Sequence, residues 1–242
     1  GTCNYILTEM TQTGRDFGDV LAEAQAKGFA EADPSFDVDG VDAAHKLAIL
    51  AALAYGEQID FSSVNISGIR SITGTDIAYA GELGYVIKLL AIAERIDADG
   101  SGEEGVSARV YPALVPREHP LAAVRGAFNA VFVEAEAAGS LMFYGAGAGG
   151  VQTASAVLGD LVSAAKRHVA GGPGLADSVH ANLEVLPIER IYTRYQITIQ
   201  AKDQPGVLAQ IANIFADHGV SVETVEQSVN PSEPGKTPTA SL

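Results

Sequence analysis

The sequence contains little cysteine, few basic residues and no long apolar run. Cys3 is the only cysteine among 242 residues, so the chain can form neither an internal disulfide nor a zinc cluster, and a reducing cytoplasm is the simplest setting. Its 15 lysine and arginine residues face 30 aspartate and glutamate residues, and the net charge of −15 disfavours nucleic acid or an anionic membrane as a partner. No apolar run reaches membrane-spanning length and the sequence shows no signal peptide, so a membrane location is not expected.

The sequence does contain enough apolar residues for a substantial core. Hydrophobic residues make up 47% of the chain, and its length allows one large domain or a large domain with a small companion. Helical patterns cover residues 3–12, 16–27, 41–55, 76–81, 120–126 and 153–168. Alternating or continuous apolar patterns predict strands at 61–66, 85–96, 106–111, 128–136 and 140–144. This mixture predicts an α+β fold, a mixed or antiparallel sheet with helices on one face.

Charged residues interrupt an apolar stripe on the helix expected at 41–55. At about 100° per residue, Asp42 and Lys46 fall on the same arc as Ile49 and Leu53. The opposite face is small and apolar, and a helix that is apolar all round is normally interior. Because buried ions need partners, Asp42, Lys46 and nearby Glu31 are candidates for a pocket that binds a polar ligand.

A simpler interpretation of Asp42 and Lys46 stays open. A carboxylate is stabilised in the first turn of a helix, and charged residues four positions apart commonly form a surface ion pair. A calcium loop fits this segment poorly, since Ser35 and Lys46 stand where such a loop needs acids. The acidic segment 97–105 also fails as a calcium loop, because Ala108 replaces the terminal glutamate, so we expect a hydrated loop and no metal site.

The glycines of YGAGAGG at 144–150 imitate a dinucleotide-binding fingerprint. Gly145, Gly147 and Gly150 satisfy G-x-G-x-x-G between an expected strand and an expected helix. However, the helix is followed by the glycine-rich segment 170–174 instead of a parallel strand with an acidic residue for the ribose. We therefore expect no complete dinucleotide fold here, although the glycines indicate a close approach to the backbone and the helix N-terminus near Thr153 could face a ligand.

Several separated stretches together resemble the catalytic region of homoserine dehydrogenase. They are GTCNYILTEM at 1–10, GFAEADPSFDVDGVDAAHKLAILA at 28–51, ISGIRSIT at 66–73, GYVIKLLAIAERI at 84–96, YGAGAGG at 144–150 and TASAVLGDL at 153–161. The resemblance covers roughly residues 1–190 and implies interconversion of L-homoserine and L-aspartate 4-semialdehyde with NAD or NADP, in threonine, methionine and isoleucine biosynthesis. It also implies a homodimer or homotetramer.

The resemblance assigns roles to individual residues. It implies that Lys46 transfers the hydroxyl proton. Substrate contacts are implied for Gly1, Thr2, Phe29, Glu31, Asp37 and Asp42. Gly145, Gly147 and Gly150 would border the active site on the nicotinamide side. In the family a nucleotide-binding domain with a second catalytic lysine precedes the GTCNYIL motif, so we expect both to be absent here and this chain alone to be inactive.

The segment YQITIQAKDQPGVLAQIANIFADHGVSVETVEQSV at 195–229 resembles the first half of an ACT domain, a ferredoxin-like βαββαβ module that binds amino acids. We therefore expect a catalytic and dimerisation domain at 1–190 and a partial ACT domain at 191–242. The resemblance implies an amino-acid effector such as threonine, with Gly206, Val207, Leu208 and Asn213 at the matching positions. A docking domain without a ligand is the alternative, since a fold does not determine a function.

Two alternatives to an enzyme also stay open. The chain could be a noncatalytic module for amino-acid sensing and dimerisation, in which case it would bind an effector without binding homoserine. It could instead be a structural core for oligomerisation, an interpretation supported by the long apolar strand expected at 85–96.

Overall fold

The computed structural model of the protein describes residues 1–97, 104–172, 181, 183–230 and 239–241. It contains two compact units, Gly1–Ile191 and Tyr192–Leu242. Most of the hydrated loop expected at 97–105 lies outside the described residues.

Helices cover much of the larger unit. They are α1 (Thr2–Thr13), α2 (Phe17–Ala26), α3 (Ser35–Val38), α4 (Val41–Tyr55), α5 (Gly74–Glu82) and α6 (Gly150–Ala170), with 3₁₀ turns at Phe61–Ser63, Pro120–Ala123 and Ile188–Arg190. Glycines set the bounds of α4, because Gly40 and Gly56 adopt left-handed φ values of 84° and 63° at its two ends, a conformation that favours glycine. The helix predicted at 41–55 is confirmed.

The strands of the larger unit form two sheets. They are β1 (Asn65–Ile66), β2 (Tyr85–Ile96), β3 (Gly105–Pro116), β4 (Phe128–Ala135), β5 (Gly139–Ala146) and β6 (Glu184–Leu186). β2 and β3 pair antiparallel along their whole length, from Tyr85 opposite Pro116 to Ile96 opposite Gly105. β1 and β6 pair parallel with β3, and β4 and β5 form an antiparallel hairpin. The sheet is therefore mixed, as expected for the α+β class.

Two apolar cores join the helices to the main sheet. In the first, side chains of α1 and α2 pack with Ile87 of β2, and Ile6, Leu7, Met10 and Val20 are almost completely buried there. In the second, Ala44, Leu47 and Ala51 of α4 pack with Val106, Ala108 and Val110 of β3. These three residues of β3 share one face of the strand, and the intervening Ser107 and Arg109 are buried as well, so both faces of this part of β3 are covered. Burial of each large side chain contributes roughly 1.5–3 kcal/mol.

Two of the predicted elements were wrong. Residues 61–66 do not form a strand, because the Asp60 side chain accepts a hydrogen bond of 2.8 Å from Ser62 N and begins a 3₁₀ turn, which leaves only Asn65 and Ile66 to pair with β3. The helix expected at 120–126 is a single 3₁₀ turn that ends at Ala123. In both places a local side-chain or proline constraint favours a tight turn over a longer element.

The smaller unit contains one helix and three short strands in the described residues. β7 (Gln200–Lys202), α7 (Val207–Asp217), β8 (Ser228–Asn230) and β9 (Thr239–Ser241) follow in chain order. The sheet order is β7-β9-β8, and both pairings are antiparallel. The strand, turn, helix, strand succession agrees with the ACT resemblance.

Helix α6 leaves its apolar side chains exposed. None of its residues is buried, and Val151, Leu158, Val162 and Val169 repeat at helical spacing on an exposed surface. Such a stripe is normally covered by another element. No helix in the described part of the chain has the length and apolar character needed to cross a membrane.

Gly68 lies against the backbone of Val38 and Asp39, and replacing it tests how closely these segments pack. A Cβ added to Gly68 would lie 2.5 Å from Asp39 Cα and would overlap the carbonyl oxygen of Val38, so the Gly68→Ala variant should lose about 1–3 kcal/mol of unfolding free energy, the usual cost of overpacking. Gly18 of α2 is the matched control, because an added Cβ there meets nothing within 4 Å and alanine should stabilise the helix by about 0.5–1 kcal/mol. Urea unfolding measures both values, and equal stabilities would contradict the packing described.

Candidate active site

The first turn of α1 is joined to residues 31–42, the acidic segment that contains α3. Thr2 Oγ1 lies 2.8 Å from Asp37 Oδ2 and 2.9 Å from the carbonyl oxygen of Phe29, so its proton can be donated to either acceptor. The neighbouring Cys3 thiol donates to the carbonyl oxygen of Asp37 at 3.1 Å. Three of the predicted site residues, Thr2, Phe29 and Asp37, therefore meet at one end of α1.

Arg70 fixes the acidic segment from the other side. Its guanidinium donates to the two carboxylate oxygens of Asp39 at 2.5 and 3.1 Å and to Ser35 Oγ at 2.9 Å. The hydrogen bond to Asp39 raises the pKa of Arg70, and Ile69 N donates to the carbonyl oxygen of Val38 at 2.8 Å. Although the segment is acidic, no group of three or more histidine, cysteine, aspartate or glutamate residues within the described ranges could hold a metal ion.

Asp42 and Lys46 form an ion pair on the surface of this chain. Lys46 Nζ lies 2.5 Å from Asp42 Oδ2, and the two side chains are 67% and 33% exposed. The expectation that their arc of α4 is interior was wrong, since Ile49 and Leu53 on the same arc are 63% and 78% exposed. The physical reason is that α4 packs its other apolar face, with Ala44, Leu47 and Ala51, onto β3. The ion pair matches the simpler interpretation.

Asp37, Asp42 and Lys46 lie close enough to the first residues of α1 for their charges to act there. Burial raises the pKa of the Cys3 thiol to about 12, so this thiol stays protonated and is not a nucleophile. Gly1, Asp37, Asp42 and Lys46 thus share one electrostatic environment.

Glu31 and Phe29 lie at the exposed edge of this group. The carbonyl oxygen of Glu31 accepts a hydrogen bond of 2.9 Å from Gln25 Nε2, which fixes its backbone, and Glu31 itself is exposed. The Phe29 ring is partly exposed and lies 4.8 Å from the ring of Tyr5. No hydrogen bond in the described part of the chain links the Glu31 carboxylate to the other site residues, so the structure brings the group together only in part.

The glycine loop meets the start of α1 at Asn129. Asn129 Oδ1 accepts a hydrogen bond of 2.8 Å from the Gly1 amino group, and a Cβ on Gly147 would lie 2.8 Å from Asn129 Cγ. Around Gly145 and Gly150 an added Cβ would meet nothing within 4 Å, so their backbone is open. The loop connects an antiparallel hairpin to α6, which differs from the parallel strand that a dinucleotide fingerprint requires.

A buried lysine was missed by the sequence reasoning. Lys88 is only 8% exposed, and its Nζ donates to Asn4 Oδ1 at 2.8 Å and to the carbonyl oxygen of Val124 at 2.5 Å. Burial lowers the pKa of Lys88 to about 8. The available signal was a single lysine inside the apolar strand YVIKLLAI.

In the smaller unit, a cavity of about 340 Å³ lies at the turn before α7. Three of the four candidate effector residues line it: Gly206, Val207 and Leu208. Asn213 lies further along α7 and is not a lining residue. Gly206 adopts a left-handed φ of 90° at the start of the helix, a conformation that suits glycine.

Comparison with known proteins identifies the family of the chain. The family model for homoserine dehydrogenase matches residues 1–162. The chain belongs to the homoserine dehydrogenase family. A second family model, the ACT domain, matches residues 195–237. Both resemblances seen in the sequence are thereby confirmed.

Individual members of the homoserine dehydrogenase family are similar to most of the chain. The enzyme of Mycobacterium tuberculosis is 55% identical over 227 residues, 94% of this chain and 51% of that protein. A crystal structure from Thiobacillus denitrificans has a TM-score of 0.84 and 40% identity over 100% of this chain and 54% of that one. A hyperthermophilic archaeal homoserine dehydrogenase in complex with NADPH has a TM-score of 0.54 and 29% identity over 68% of this chain and 44% of that one. The chain spans about half the length of the curated relatives it matches.

The exposure of the ion pair predicts a small effect on stability. Replacing Lys46 with glutamine should change the unfolding free energy by only about 0.3–0.5 kcal/mol, the usual contribution of an exposed pair four residues apart on a helix. Asp42→Asn is the matched variant and should show a similarly small change. Urea unfolding at low and high salt provides the measurement, and a loss of several kcal/mol would show that the pair is buried in the folded protein.

Proposed function

We propose that the intact protein is a homoserine dehydrogenase that interconverts L-homoserine and L-aspartate 4-semialdehyde. Membership of the family supports the reaction class. The observation that carries the residue assignment is the exposed amine of Lys46, paired with Asp42 beside the Thr2–Asp37 contact. These groups are accessible to an amino acid, and their charges complement those of its ammonium and carboxylate groups.

Each charged group has a chemical role in this proposal. In its neutral form, Lys46 Nζ accepts the proton that leaves the substrate hydroxyl, and the ammonium that results returns it in the reverse direction. The carboxylates of Glu31 and Asp42 bind the substrate ammonium through charge-assisted hydrogen bonds. Asp37 accepts a hydrogen bond from Thr2 and supports these two carboxylates. Gly1 and Phe29 form the remaining part of the substrate-binding surface.

NADP or NAD would supply the hydride acceptor when bound. One similar solved structure, the hyperthermophilic archaeal enzyme, is a complex with NADPH. In this chain we assign the nicotinamide side of the site to Gly145, Gly147 and Gly150. The open backbone at Gly145 and Gly150 supports this assignment, because a flat ring can approach a backbone that carries no side chains. The remainder of the cofactor would contact the other part of the intact protein.

We infer that the intact enzyme is a homodimer or homotetramer in a reducing cytoplasm. The β4–β5 hairpin supports assembly, since Val131 lies opposite Phe143 and Val133 lies opposite Leu141, and all four side chains are exposed. An apolar patch of this kind is typical of an interface between protein surfaces.

A noncatalytic amino-acid sensor is the second candidate function. The cavity of about 340 Å³ beside Gly206, Val207 and Leu208 favours it, because this volume suits a small ligand. The cavity by itself is also compatible with the enzyme, since an enzyme can carry an effector site for an amino acid such as threonine, so homoserine binding is what distinguishes the two functions.

Replacing Lys46 tests the catalytic assignment. In the intact enzyme, Lys46→Ala should lower kcat for homoserine oxidation by about 10²–10⁴, the usual contribution of a general acid or base, while NADP affinity stays nearly unchanged. Lys27→Ala is the matched control, because Lys27 also forms an exposed ion pair four residues from its partner, Glu23, but at the C-terminal end of α2. Turnover of Lys46→Ala close to that of Lys27→Ala would refute the assignment. We also expect no homoserine-dependent NADP reduction by residues 1–242 alone, and measurable reduction would contradict that expectation.

Calorimetric titration separates the two candidate functions. The intact protein should bind threonine, and Leu208→Arg should abolish that binding, because the charged side chain would fill the cavity. Asn213→Ala is the control, since Asn213 does not line the cavity. The intact protein is also titrated with methionine, homoserine and NADPH. Binding of an amino-acid effector without binding of homoserine would favour the sensor. Unchanged threonine affinity in Leu208→Arg would place the effector elsewhere.

A further inference from the structure

Lys88 is a buried cation for which the proposed chemistry has no role. It lies in the apolar strand β2 between Ile87 and Leu89, and only 8% of it is exposed. Among the described residues no carboxylate lies within ion-pair distance of it, and its acceptors are Asn4 Oδ1 and the carbonyl oxygen of Val124. An apolar residue would suffice here for packing alone, since burying an ammonium without a counter-charge is costly. The role of Lys88 must therefore lie in these two hydrogen bonds.

The first acceptor, Asn4, ties α1 to the segment that leads into β4. Its Nδ2 donates to the carbonyl oxygens of Gly126 and Phe128 at 3.0 and 3.1 Å. Thr8, one turn further along α1, accepts a hydrogen bond of 3.2 Å from Gly126 N. Lys88, Asn4 and the segment 124–128 thus form one continuous hydrogen-bonded group.

This group lies next to both halves of the candidate site. Asn4 belongs to the same turn of α1 as Thr2, which binds Asp37. The segment 124–128 leads directly to Asn129, which accepts a hydrogen bond from Gly1 and lies against Gly147 of the glycine loop. A shift of the segment would therefore move the substrate side relative to the nicotinamide side.

We propose that Lys88 and Asn4 are a positioning pair that holds the start of α1 and the glycine loop at the separation needed for hydride transfer. Lys88 is a positioning residue and not a catalytic one, because it is buried and, within the described residues, its hydrogen bonds go to Asn4 and Val124. The inference rests on the proposed function. It adds two residues that the sequence motifs did not assign to the site.

The chemistry of an amine explains why lysine fits this position. An ammonium has three N–H donors and a neutral amine has two, so Lys88 can donate to both Asn4 Oδ1 and the carbonyl oxygen of Val124 in either form. The lowered pKa of Lys88, about 8 as a result of burial, makes the neutral form accessible at mildly alkaline pH. Methionine has a similar length but no donor, so Lys88→Met would leave both acceptors without this partner.

Two variants of the intact enzyme test the pair. Lys88→Met removes the donor, whereas Asn4→Asp keeps an acceptor for Lys88 and adds a counter-charge, but replaces the amide donor facing Gly126 and Phe128 with a carboxylate that repels their carbonyl oxygens. Both should lower kcat/KM for homoserine by about tenfold or more, mainly through kcat, because a displacement near 1 Å can cost up to about 10²-fold in rate. Val106→Ala, a cavity in the second core, is the control for lost stability, measured by Tm.

The outcomes separate this inference from the proposed function. Loss of kcat in both variants, beyond that of Val106→Ala at a comparable Tm, would support the positioning pair. Asn4→Asp with kcat near that of the control would overturn it even if Lys88→Met fails to fold, because Asn4 joins the turn of α1 that carries Thr2 to Gly126 and Phe128. A loss confined to KM would also overturn it, since this result would indicate substrate binding and not separation. Wild-type enzyme without homoserine-dependent NADP reduction would instead refute the proposed function, and the inference with it.

Discussion

The antiparallel pairing of β2 with β3 is the interaction on which the larger unit depends. Its register runs without a break from Tyr85 opposite Pro116 to Ile96 opposite Gly105. Helices α1, α2 and α5 pack around Ile87 of β2, and α4 packs on β3. The short strands β1 and β6 pair with β3. Because side chains alternate along a strand, Ile87 contributes to a core while its neighbour Lys88 binds Asn4 and Val124.

The candidate site lies at the N-terminal ends of α1 and α4, and polar contacts determine its geometry. Thr2 binds Asp37, Arg70 binds Asp39, and Asn129 binds Gly1. The first apolar core already holds α1, Val38 and Ile69 together, so the first two contacts orient segments that this core has brought close. The acidic segment has an excess of negative charge, and Arg70 offsets part of it by pairing with Asp39, while Asp42 pairs with Lys46. In the proposed function, the carboxylates of Glu31, Asp37 and Asp42 supply the negative charge that the substrate ammonium requires.

The predictability of each element followed the length and clarity of its apolar pattern. Helix 41–55 and strand 85–96 have the predicted bounds, because long periodic patterns leave few alternatives. The strand expected at 61–66 failed because Asp60 begins a 3₁₀ turn there, and a local cap competes with strand pairing. β3 continues to Pro116, beyond the predicted end at 111, because β2 supplies pairing partners along that whole length.

By itself the sequence proposed which residues belong to the candidate site and determined which of them share a helical arc. Asp42, Lys46, Ile49 and Leu53 lie on one arc of α4 because helical geometry is local. Whether that arc is buried was decided only by the tertiary structure, since both faces are apolar and β3 selected the one with Leu47. Contacts between residues 35 and 84 positions apart, Thr2 with Asp37 and Asn4 with Lys88, likewise depend on the packing of distant segments. A periodic pattern describes neighbours along one element, so it contains no information about such pairs.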